Sequence, residues 1–339
     1  MAEGKEVVLD RMGGFSSTAT GRSPAPRGSH SLRHKTERPH ADVTPDYVQS
    51  LSLRGADREL VRYLGEVGYA TTEQVRQLFY PLHKQSLKAA RQRLTQLWEW
   101  HLLDRVPCTG LEKYGLQPQL VYSLGKAGNL MLAESDAEGA KLRKRRGTTM
   151  LMLHNLLIGE WLVGLGQTGR EQGGWDYQFF GERGTAVQFE HHERRIKMRP
   201  DGLLVLNNEV ADVEIPLFIE MDTSMRELDH FRIKTAQYNA YFASRAWVSR
   251  FEVFPYVAVI VWSALAQDGR ESDAANKKRQ ELTNLRIERI ASKVKGAGKW
   301  TQGYTWLFAR LDQARRGNFY MLAPEASELV KVNLFNTGN

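Results

Sequence analysis

The apolar residues of this chain change period part-way along, and that change restricts the fold more than any other feature. Leu60, Tyr63, Leu64 and Val67 fall at i, i+3, i+4 and i+7, the buried stripe of a helix. Gly68 follows as a helix stop. Thr71-Thr72-Glu73-Gln74 reads as a capping box, and its helix carries Val75, Leu78 and Phe79 before Pro81 stops it. A third helix is predicted over about 85–100, with Leu87, Ala90, Leu94, Leu97 and Trp98 inward. An apolar helix is expected over 150–165. After it the apolar runs shorten to strand length, at 175–180, 187–190, 202–206 and 215–221. A helix at 226–243, a strand at 256–262, a charged helix near 274–294 and a strand at 304–308 follow. This order predicts an α/β (α+β) chain whose second half is a sandwich around a mixed central sheet.

In the first half, strand-like runs at 102–106 and 120–124 flank a loop holding Gly110, Lys113, Gly115 and Pro118. Three helices, a strand, a loop and a strand make the order of a winged helix-turn-helix, whose third helix enters the major groove of DNA. Lys84, Lys88, Arg91 and Arg93 lie near the start of that third helix with no acid between them. Solvated faces usually mix signs, so these four and Lys113 are candidate DNA contacts. A winged helix used for protein contacts is the alternative. Arg143, Lys144, Arg145 and Arg146 would either track phosphates or form a plain hinge. The expected organisation is a basic disordered tail over 1–50, a winged helix over 51–135 and a basic linker over 136–149. An α/β domain over 150–325 and a C-terminal tail over 326–339 complete it.

Charge and cysteine content narrow the partners. Lys and Arg number 47 against 39 Asp and Glu, a net +8, which favours a polyanion such as double-stranded DNA. The single cysteine, Cys108, excludes a disulfide framework and a thiolate zinc site, and fits a reducing cytosol. No uninterrupted apolar run spans a bilayer and no secretory h-region opens the chain, so a cytoplasmic protein is expected.

The chemistry is concentrated in the second half. Asp201 stands at the start of one strand, while Glu220 and Asp222, two apart, end the next and share one face. In a hairpin the start of the first strand lies beside the end of the second, so the three carboxylates should converge. They would repel unless a cation joined them, and oxygen ligands point to Mg2+ or Mn2+. Lys234 shares a helix face with Phe231, Gln237, Tyr238 and Tyr241. A lysine turned inward needs an anion, and the carboxylates or a phosphate would supply one. Hydrolysis of a phosphodiester needs a metal, an activated water and positive charge, which Asp201, Glu220 and Lys234 would provide together. The plainer readings are a solvated acid pair at a strand end and a lysine that reaches water along its own stem.

These motifs together resemble the replication-relaxation family of plasmid and other mobile-element proteins. The first half matches through Thr71 to Phe79, Arg91 to Leu97, Leu102 to Arg105, and Val121 to Leu124 with Gly128. The second matches through His154-Asn155, Arg199 to Leu203, Phe218 to Asp222, and Lys234 to Tyr238. The resemblance implies a role in plasmid replication and DNA relaxation, and a second domain of the PD-(D/E)xK nuclease type. Asp201 would then be the acid of its first motif and Glu220 that of its second. The usual lysine two residues after that acid is replaced here by Asp222, so Lys234 would supply the charge from the helix. Gln237 and Tyr241 resemble the Q-x-x-x-Y motif of one branch of these nucleases. Two functions stay open: a divalent-metal DNA nickase, and a non-catalytic regulator or origin-binding protein whose second domain serves interaction. Other replication or mobilisation proteins are expected partners.

Overall fold

Local sequence signals explain most of the first lobe. The computed structural model describes residues 38–80, 86–108, 110–114, 120–135, 148–224, 227–263, 272–297, 303–323 and 328–336. Residues 39–339 form one unit. Helix α1 (Pro45–Ser50) buries Val48 beside Val43, inside the stretch 1–50 expected to be a tail. Two apolar residues are too few to give a readable period, which is why this helix was not foreseen. Residues 1–37 of that stretch lie outside the described residues.

Helix α2 (Gly55–Val67) ends where Gly68 takes φ 92° and its N–H donates to the Leu64 carbonyl. A two-residue strand, β1 (Ala70–Thr71), leads into α3 (Thr72–Phe79). The capping box closes as expected: Gln74 N donates to Thr71 Oγ1 at 3.1 Å, and Thr71 N to Gln74 Oε1 at 3.0 Å. Helix α4 (Ser86–Glu99), strands β2 (Leu103–Val106) and β3 (Val121–Leu124), and helix α5 (Lys126–Ser135) complete the lobe. Its sheet is antiparallel in the order β1-β3-β2. Leu60, Leu64, Val75, Leu94, Leu97 and Leu103 fill its core.

Helix α6 (Thr149–Glu171) starts on a Thr148 cap and runs through the protein. By length and composition it is apolar enough to cross a bilayer, against expectation, but 72% of its most apolar stretch is buried within the fold. Then follow β4 (Trp175–Gly181), α7 (Glu182–Thr185), β5 (Val187–His191), β6 (Arg194–Met198), β7 (Gly202–Asn208), β8 (Val213–Asp222) and α8 (Asp229–Ser244). The remainder is β9 (Tyr256–Val261), α9 (Asp273–Gly296), β10 (Trp306–Arg310), α10 (Leu311–Ala314), β11 (Asn318–Leu322) and β12 (Val330–Asn333).

Seven of these strands form one sheet in the order β12-β11-β10-β9-β8-β7-β4. The β8-β9 and β9-β10 pairs are parallel and the other pairs antiparallel, so the protein is a mixed α/β fold. Helices α8 and α9 supply the crossovers that parallel neighbours need. Side-chain alternation sends Ile215, Leu217, Ile219 and Met221 of β8 to the α6 face, and Phe218 to the face under α8 and α9. Two expectations change here. Strand 187–190 does not join the sheet but pairs with β6 as a separate ribbon. Residues 330–333, expected in a tail, form the edge strand β12, with Leu334 and Phe335 buried behind it.

One apolar cluster spans both halves, joining Val67, Tyr69 and Val121 to Leu153, Trp161 and Leu204. The halves also meet at Gly181, whose N–H donates to Glu66 Oε2 at 2.7 Å. A Cβ there would stand 2.2 Å from the Glu66 carbonyl oxygen. Gly181→Ala should therefore cost about 1–3 kcal/mol as helix and strand are forced apart. Urea denaturation would measure it, and an unchanged midpoint would refute the tight junction.

Candidate functional site

Strand pairing brings the acids together. Asp201 N donates to the Ile219 carbonyl at 2.9 Å, and Gly202 pairs with Ile219, so Asp201 lies opposite Glu220. Asp201 Oδ2 accepts from Met221 N at 2.8 Å and lies 3.5 Å from His154 Nε2 on α6. From α8, Lys234 Nζ reaches Glu220 Oε2 at 2.8 Å and Oε1 at 3.0 Å, and donates to the Arg199 carbonyl at 2.8 Å. Tyr238 OH donates to Glu220 Oε1 at 2.8 Å. The group lies in a cleft of about 1020 Å³ whose wall includes His154, Arg183, Lys197 and Arg199.

Asp222 follows a different course. It shares the Glu220 face, as alternation required, but Arg286 of α9 takes both its oxygens, with Nη2 at 3.0 Å from Oδ1. Ser224 N also donates to Oδ1 at 3.2 Å. The expected three-carboxylate convergence on one ion therefore becomes two carboxylates beside a separate ion pair. Among the described residues no group of three or more His, Cys, Asp or Glu is placed to hold a metal ion. Glu220 and Asp222 are 5% and 3% exposed, so they are not a solvated strand-end pair. Lys234 is committed to Glu220 rather than to water. Gln237 is directed to the Lys197 carbonyl at 3.3 Å. That contact serves the ribbon.

The two carboxylates are tuned in opposite directions. Burial opposes charge on Asp201, yet His154, Lys234 and the Met221 N–H together hold it down to about 2. Burial pushes Glu220 up to about 7; Asp201 adds to this, while Lys234 and Tyr238 offset it only in part. Glu220 is thus raised above its ordinary 4.5, so the stability it contributes is full below 4.5 and is lost as pH rises to about 7. Asp201 is depressed from 3.8, so its contribution is present above 3.8 and lost as pH falls to about 2. Glu220→Gln should flatten the stability curve between pH 4.5 and 7. Urea melts across that range check it; a curve parallel to wild type would contradict the assignment.

The candidate DNA contacts divide. Lys88 and Arg91 are exposed on α4. Arg93, expected beside them, is 7% exposed and forks onto Asp57, itself 2% exposed, with Trp100 under its guanidinium. The correction follows from helix geometry, because position 93 falls on the stripe of Ala90, Leu94 and Leu97. Lys84, Arg143, Lys144, Arg145, Arg146 and the Lys113 side chain lie outside the described residues. His154 and Arg286 were missed as site residues. His154 had a signal, since it stands in one of the motifs that carry the resemblance. Arg286 had none within its charged helix.

The sequence model of the replication-relaxation family matches residues 61–257, more than half of the chain. The chain belongs to the replication-relaxation family. The match takes in α3, α4, β7, β8 and α8, and so every carboxylate and lysine of the cleft. Membership in the replication-relaxation family points to a role in replication or relaxation of plasmids or mobile elements. No curated protein and no solved structure shows significant similarity to the chain.

Proposed function

We propose that this protein binds DNA through its first lobe and nicks it at the Asp201–Glu220–Lys234 cleft, in the service of plasmid or mobile-element replication. The observation that carries this reading is the convergence of two carboxylates from adjacent strands and a lysine from the next helix at the floor of one cleft. The order of elements supports a winged helix in the first lobe, with Lys88 and Arg91 of α4 as contacts. The mixed sheet with acids at the ends of β7 and β8 supports a PD-(D/E)xK-like second lobe.

The donor set suits a divalent cation. Mg2+ usually takes one or two carboxylates and keeps several waters, so Asp201 and Glu220 suffice, and Asp222, held by Arg286, is not needed. When bound, such an ion would polarise the phosphoryl oxygen and lower the pKa of a water. The chain does the rest. Lys234 sets positive charge where the phosphoryl group gains negative charge. Tyr238 orients Glu220, and the Met221 N–H and His154 orient Asp201. Asp222 and Arg286 brace the end of β8 against α9.

Incubation of supercoiled plasmid with the protein and Mg2+ or Mn2+, beside Glu220→Ala, tests this. Open-circular product from wild type alone supports nicking, and intact plasmid with retained DNA binding excludes it. That second outcome has its own support in the Asp222–Arg286 pair, which stands where a lysine-bearing catalytic strand would differ. The protein would then be an origin-binding or regulatory protein.

A further inference from the structure

The ribbon of β5 and β6 has a role that neither the DNA-reading lobe nor the carboxylates assign. It turns through His192 and Glu193, both at positive φ (48° and 59°), the geometry of a two-residue type I′ hairpin. One face is anchored: Phe189 and Met198 are buried, and the Phe189 ring meets Tyr241 of α8 at 5.1 Å. The other face is open. Arg195, Lys197 and Arg199 fall at i, i+2 and i+4 along β6 and beyond its end, and all three are exposed. Their spacing along the strand is about 6.6 Å per step.

The row leads into the site. Two residues after Arg199 comes Asp201, and Lys197 and Arg199 line the cleft that holds Asp201 and Glu220. Lys234 ties the base of the ribbon to Glu220 by holding the Arg199 carbonyl. The cations' own partners are weak. Arg195 donates to Gln188 at 3.0 Å and faces Glu190 across the ribbon. Arg199 meets Glu182 at 3.8 Å, with both side chains about half exposed. Surface pairs of this kind contribute little and exchange readily for a phosphate.

We propose that Arg195, Lys197 and Arg199 form a phosphate track that carries a DNA strand along the ribbon and into the cleft. The inference rests on the reading of the cleft as a DNA site. It adds a second contact, separate from α4, which binds backbone without regard to base sequence.

The test measures binding of a labelled duplex oligonucleotide over a salt series without divalent metal, alongside plasmid nicking with Mg2+. For Arg195→Gln with Lys197→Gln, the slope of log affinity against log salt should fall by about 1.8, near 0.9 for each lost contact. Half-saturation of nicking should need more plasmid. Glu190→Lys should act the other way and raise the slope. Unchanged slopes in both variants would overturn the track. If the slopes shift as stated while wild type cuts nothing, the track stands and the nicking reading fails. If wild type nicks and neither variant moves the slope or the half-saturation, nicking stands and the track fails.

Discussion

Supercoiled plasmid is expected to stay supercoiled when Glu220 is replaced by alanine, under Mg2+ or Mn2+, while DNA binding persists. Among the described residues Glu220 and Asp201 are the carboxylates that converge with Lys234, and without Glu220 a cation would lose one of the two acids proposed to hold it. Lys234→Met should be less absolute. It removes charge but no ligand, and loss of one such stabilising group typically lowers turnover by about 10²–10³-fold. Half-saturation by plasmid should change much less than rate, because the lysine acts on charge that develops during reaction. Equal nicking by wild type and Lys234→Met would separate the lysine from the chemistry.

Asp57→Ala should be among the most destabilising single changes in the first lobe. Asp57 takes the Arg93 fork and also accepts from Arg54 N at 2.7 Å at the start of α2. Removing one partner of a buried ion pair leaves the other charge uncompensated, at a cost of about 3–5 kcal/mol. Arg93→Ala should fall in the same range, with 2%-exposed Asp57 left behind. Replacing both by leucine should recover much of the loss, since apolar pairs often substitute for buried ion pairs without net cost. Chemical denaturation of the three variants decides it: a double variant as unstable as the sum of the singles would contradict the pairing. Any loss of DNA binding in Arg93→Ala should track unfolding, whereas Arg91→Ala should lower the salt slope in a fully folded protein.

What the sequence conveyed was local. The Thr71–Gln74 box and the Gly68 stop are decided within four residues, and both formed as read. The approach of Asp201 to Glu220 needed only a hairpin, and the inward Lys234 needed only a helical period. The misread features depend on distant partners. Asp222 is drawn away by a residue 64 positions later, while Arg93, which the helical period already turns inward, is held there by one 36 positions earlier. The departure of β5 and β6 from the sheet is set by Phe189 and Met198 packing on α8, which strand periodicity alone does not express. Edge strand β12 is short and half polar, so its pairing with β11 had no signal before the sheet existed.

Helix α6 carries a consequence of another kind. Gln74 of α3 donates to the Leu156 carbonyl at 2.8 Å, two residues from His154, and Trp161 donates to the Ala314 carbonyl at 3.2 Å. One rod is thus fastened to the lobe that bears Lys88 and Arg91, to α10, and to the acid that opens β7. On the proposed reading, a protein so braced would work as a ruler. If the first lobe selects a sequence, the cleft meets the backbone at a constant offset from it. Broken strands mapped at nucleotide resolution would then end at one position relative to the bound sequence instead of scattering around it.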